Sequence, residues 1–86
     1  MSADRLYKQA IKRVFGEKYH DEHLAMYWGR DDGTIHVITS FRHYVHKISS
    51  DQEDTLEFVS GVGDRVNVSL TDDERSQLER ASFWPP

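Results

Sequence analysis

The chain has 86 residues, 37% of them apolar and 30% charged, with a formal net charge of −4 and no cysteine. A chain of that length is one small domain, residues 1–86, burying about 60–65% of its unfolded surface and leaving no room for a cofactor domain beside a substrate domain. The missing cysteines exclude disulfide scaffolds, thiolate zinc sites, iron–sulfur clusters and cysteine nucleophiles.

Residues 3–19 carry a helical stripe. Ala3, Leu6, Tyr7, Ala10, Ile11, Val14 and Phe15 recur at steps of three and four, with Arg5, Lys8 and Lys12 on the opposite face. Ser2 or Asp4 can cap its start and Gly16 weakens its end. The same opening segment has no apolar leader, and no run of about 18 apolar residues follows anywhere. These features predict a water-soluble cytoplasmic protein without a membrane segment.

A hairpin comes next. Asp32-Gly33 is a two-residue turn signal, because the turn type that matches strand twist needs positive φ. With those residues at the tip, Trp28 faces Val37, Met26 faces Thr39 and Leu24 faces Phe41 on one side of the sheet. Tyr27–Ile38, Ala25–Ser40 and His23–Arg42 fall on the other side. Beyond Ser40 the alternation continues. Ile35, Val37, Thr39, Phe41, His43 and Val45 form one set; His36, Ile38, Ser40, Arg42, Tyr44 and His46 form the other. Either one long bent strand runs through 34–48, or the strand breaks near Ser40.

Residues 49–54 are a polar loop or the first turn of a short helix, since Ser50 and Glu53 have capping-box spacing. Strands over 55–60 and 65–70 are preferred, joined by Gly61-Val62-Gly63, with Phe58 facing Val66 and Leu56 facing Val68. The chain closes on a helix begun by a capping box, Thr71 with Glu74, preceded by Leu70. Asp72 and Asp73 occupy its first turn, Leu78 and Ala81 its inner edge, and Phe83-Trp84 and Pro85-Pro86 its end. The predicted architecture is therefore α+β: an N-terminal amphipathic helix, one antiparallel sheet of four to five strands built from two hairpins, and a C-terminal helix.

Chemistry-bearing patterns are sparse. His20–His23 and His43–His46 have i, i+3 spacing, which brings imidazoles together on a helix and separates them on a strand. The second pair falls on a strand, and a zinc site from His20, Asp21 and His23 lacks any supporting signature. The acidic runs already serve as loop, turn and cap. Gly61-Val62-Gly63 lacks the later glycine and lysine of a phosphate loop, and no nucleophile elbow is present. The residues give no catalytic set, no metal site and no cofactor.

Two binding readings remain. Tyr27, His36, Ile38, Arg42, Tyr44 and His46 share the face opposite the core set, and tyrosine and arginine are enriched in interface hot spots. This face points to a non-enzymatic protein-binding domain of the inhibitor, immunity or adaptor type, monomeric or homodimeric, whose partner is another protein. If one of the two helices covers that face, Tyr27, Ile38 and Tyr44 become ordinary core.

The second reading starts from basic residues Arg5, Lys8, Lys12, Arg13 and Lys18. It also starts from Asp64-Arg65-Val66-Asn67-Val68-Ser69-Leu70 followed by Thr71-Asp72-Asp73-Glu74 and the run to Ala81. This segment, 64–81, resembles the strand and first helix of ribbon-helix-helix DNA-binding proteins. The resemblance implies a dimeric DNA-associated regulator in which Asn67 and Ser69 would face bases. The family's second helix has no counterpart before Pro86. Residues 51–86 also hold three arginines against nine acids, a charge that opposes phosphate approach.

Overall fold

The computed structural model describes residues 3–16, 23–29, 33–47 and 54–81. Expectations for the Ser2 cap, residues 17–19, Asp31 and the Asp32 half of the Asp32-Gly33 tip, Ser50 with Glu53, and Phe83 to Pro86 lie outside them. The order of elements is α1 (Ala3–Phe15), β1 (Leu24–Trp28), β2 (Thr34–Thr39), β3 (Arg42–Lys47), β4 (Thr55–Gly61), β5 (Val68–Ser69) and α2 (Asp72–Glu79). The five strands form one antiparallel sheet in sequence order, an α+β fold.

The predicted stripe is the buried side of α1: Ala3, Leu6, Tyr7, Ala10, Ile11 and Phe15 are all buried, and only Val14 is exposed. It packs against Ile35, Val37, Tyr44, Leu56 and Val68 from the inner face of the sheet, with Leu70 and Leu78 completing the core. Leu24, Met26 and Trp28 extend that face to the sheet edge as half-buried neighbours.

The β1–β2 register is Leu24↔Thr39, Met26↔Val37 and Trp28↔Ile35. Each expected partner is displaced by two residues, so Trp28 does not face Val37, nor Met26 Thr39, nor Leu24 Phe41; Tyr27, expected to face Ile38, faces His36. The cause is a longer connection: Gly29 N–H already donates to the Thr34 carbonyl at 2.8 Å, so pairing ends at Trp28 rather than continuing to a tip at Asp32-Gly33. Gly33 does supply the positive φ, 64°, that lets the chain enter β2. A shift of two leaves every side chain of β1 and β2 on its expected face, since side chains alternate with period two.

The strand does break after Thr39. Its hydroxyl accepts the backbone N–H groups of Phe41 (3.3 Å) and Arg42 (3.0 Å) and donates to the Arg42 carbonyl, closing a turn around Ser40-Phe41. β3 then returns with Val37↔Tyr44 and Ile35↔His46, which puts its even-numbered residues on the inner face. Between β3 and β4 the register slips beside His43 and Tyr44, leaving Val59 as an unpaired bulge. Gly61 faces Arg42 with φ 141°; a Cβ there would overlap the Phe41 carbonyl oxygen, so only glycine lets the two backbones approach.

Leu56 faces Val68 as expected, but β5 is short and residues 64–67 are not strand. α2 opens on the predicted capping box: the Glu74 N–H donates to the Thr71 hydroxyl, and the Thr71 N–H donates to the Glu74 carboxylate at 2.8 Å. Glu74 is 1% exposed and does more than cap. Arg13 of α1 grips it with both guanidinium nitrogens at 2.9 Å, and Gln9 donates at 3.0 Å, tying the two helices together. Burial pushes the Glu74 carboxyl up, but the Arg13 and Thr71 hydrogen bonds and the Arg13 charge outweigh it and hold the carboxyl below its ordinary range.

Candidate functional site

The two helices bury their apolar sides in the core under the inner face, so the outer face is where the sheet presents side chains. Ala25 and Tyr27 of β1, His36 and Ile38 of β2, His43 and Val45 of β3, and Glu57 of β4 share it, as their register requires. Three rings make a diagonal row across it. Tyr27 lies flat on its cross-strand partner His36, centroids 4.7 Å apart and planes 3° from parallel. The His36 ring then meets His43, with 2.9 Å between His36 Nδ1 and His43 Nε2. Ile38 and Val45 stand opposite His43 and His36, and the Lys47–Glu57 ion pair at 3.1 Å borders the row. Tyr27 is 47% exposed; both imidazoles are half-buried. Partial burial, helped by neighbouring His36, pushes the His43 pKa below its ordinary value.

Of the six residues expected to line this surface, Tyr27, His36 and Ile38 are here. Arg42, Tyr44 and His46 are not: they are on the inner face and buried. The turn at Ser40-Phe41 reverses the chain so that facing residues in β2 and β3 have opposite parity, and the alternation inverts between the two strands. Arg42 instead sets its guanidinium 4.0 Å above the Phe15 ring and donates through Nε to the Val62 carbonyl. Tyr44 meets Phe58 edge-on at 5.7 Å. His46 Nδ1 is hydrogen-bonded at 2.8 Å to the Tyr7 hydroxyl, whose pKa burial pushes well above its ordinary value against a smaller opposing effect of Arg75.

The same inversion brings in His43 and Val45, which the alternation had assigned to the core set. The signal that could have found them is Thr39 followed by Ser40, a hydroxyl positioned to close a turn on its own backbone.

The other candidates separate. His43 and His46 project from opposite faces of β3, as a strand demands. His20 and Asp21 lie outside the described residues, and His23 is exposed ahead of β1. Among the described residues no group of three or more His, Asp or Glu side chains could hold a metal ion. Just ahead of β5, the Asn67 side-chain oxygen accepts the Phe58 N–H at 3.0 Å, and on β5 the Ser69 carbonyl accepts from Arg13 at 2.7 Å. The Asn67 side chain of the ribbon-like segment is thus engaged within the chain. No helix of the described residues is long and apolar enough to cross a membrane. Compared with protein-family models, with curated proteins and with solved structures, the chain matches none, so function has to be read from its own residues.

Proposed function

We propose that this chain is a small non-enzymatic protein-binding domain of the inhibitor, immunity or adaptor type, which docks on another protein through the outer face of its sheet. The observation that carries the reading is the Tyr27–His36–His43 row with Ile38 and Val45 on the side away from the helices. A sheet surface of this kind offers aromatic area held on a paired backbone, flanked by polar groups that can choose a partner. The DNA-associated reading is less well supported. Arg13, one of its basic residues, is bound to Glu74 and Ser69, and Asn67 is bound to β4.

The test is capture of binding proteins from the native host by wild type and by two surface variants. Tyr27→Ala with Ile38→Asp should abolish capture of a saturable partner and reduce its affinity at least about tenfold, the scale of a hot-spot loss. Lys12→Ala, at an exposed position of α1 on the other side of the sheet, should not. A partner held equally by all three proteins would disprove docking at this face.

A further inference from the structure

We propose that His36 and His43 form a two-point binding site for a divalent late first-row transition metal ion such as Cu²⁺, Ni²⁺ or Zn²⁺. The proposal does not depend on protein docking at the same face. Its starting point is the approach of two imidazole nitrogens from different strands, His36 Nδ1 and His43 Nε2, to 2.9 Å. They occupy diagonal positions across the β2–β3 pair, since His36 faces Val45 and His43 faces Ile38.

Imidazole nitrogens bind these metals at about 2.0–2.1 Å, which places two tetrahedral ligands roughly 3.3 Å apart and two ligands at right angles roughly 2.9 Å apart. The pair already stands at the right-angle separation, and a few tenths of an ångström of opening reaches the tetrahedral one. The rings are tilted 36° to each other, and metal binding requires each to rotate until its facing nitrogen points to a common position beside the line between them.

The surroundings suit an imidazole-bound cation. The Tyr27 ring covers the flat face of His36, which restrains the ring. Proton bookkeeping closes as well. With both rings neutral, one donates its N–H to the other; on metal binding that proton moves to the far nitrogen of the same ring, and both facing lone pairs go to the metal. No third His, Asp or Glu side chain of the described residues joins the pair, so two or more coordination positions are left for water or a ligand from another molecule. Imidazole donors without thiolate or a carboxylate cage favour copper, nickel and zinc over magnesium or calcium.

The experiment is calorimetric titration of the full chain with NiCl₂ and with ZnCl₂ alone, followed by imidazole ¹⁵N spectra. Wild type is expected to bind one ion, with the Nδ1 signal of His36 and the Nε2 signal of His43 shifting together, while MgCl₂ gives no heat. His36→Ala and His43→Ala should each weaken binding by at least about tenfold, the loss that even outer-shell changes bring at metal sites. His20→Ala and His23→Ala should bind as wild type does. His36→Phe and His43→Phe, which keep the ring area, provide folded controls should either alanine variant unfold. Equal binding by the position-36 and position-43 variants and wild type would overturn the site. So would wild-type affinity weaker than about 1 mM, where the free energy is no more than roughly 4 kcal/mol.

Discussion

On each face of the sheet a histidine meets a tyrosine, Tyr7 of α1 inside and Tyr27 of β1 outside, and the two pairs are built differently. Inside, Tyr7 and His46 meet edge-on, planes 83° apart, with hydroxyl and ring nitrogen in a hydrogen bond and neither residue exposed. Outside, Tyr27 and His36 lie flat on one another, planes 3° apart. Burial explains the difference. A hydroxyl and an imidazole removed from water must satisfy each other, and that requirement fixes their angle. On the outer face water can serve the polar edges, so the rings settle into the cross-strand stack that maximises their contact. Polar groups inside are committed to the fold, whereas those outside can also be served by water.

Truncating the inner face should break this contrast most severely. Tyr44→Ala removes a fully buried ring from between Val37 and Phe58 and should cost about 3–5 kcal/mol in denaturant unfolding. A loss below about 1 kcal/mol would mean that the inner face is not the core. Removing single hydroxyls sharpens the comparison. Tyr7→Phe leaves His46 Nδ1 buried without its partner and should cost about 1–3 kcal/mol, whereas Tyr27→Phe should stay within about 0.5 kcal/mol of wild type. Equal effects of the two changes would erase the distinction drawn between the faces.

The smallest effect belongs to His43. Because the folded chain disfavours its charged form, the unfolded chain binds that proton more readily. Its contribution to stability is therefore whole above its ordinary pKa of 6.5 and is lost as pH falls from there through the lowered folded value. Ring titration followed by NMR should show His43 below 6.5, and His36→Ala should move it back up. An unchanged titration in that variant would rule out electrostatic coupling between the two rings.

Local rules read much of the fold directly from residues. The α1 stripe needs only 3.6-residue periodicity, and the α2 start needs only Thr71 and Glu74 three apart. The opposition of Leu56 and Val68 follows from a glycine-bounded connection. For β1 and β2, even a register error of two residues left the faces intact. Half of the expected surface was legible on the same basis, as Tyr27, His36 and Ile38.

The other half depended on a single event, the turn at Ser40-Phe41. Alternation along 34–46 has the same period whether the chain runs straight or folds back, so the pattern alone permits both. What decides is the closure of Thr39 onto Arg42, together with a core under β3 that has room for Tyr44, His46 and Arg42 beside Tyr7 and Phe15. Those contacts join residues up to 39 positions apart, and no periodicity within one segment encodes them. The amino-acid sequence determined which segments are helix and strand and which side of β1 and β2 is apolar, because those are properties of neighbours along the chain. Tertiary structure alone decided which histidines are sealed and which meet on the surface, because that choice is made by the chain packing against itself.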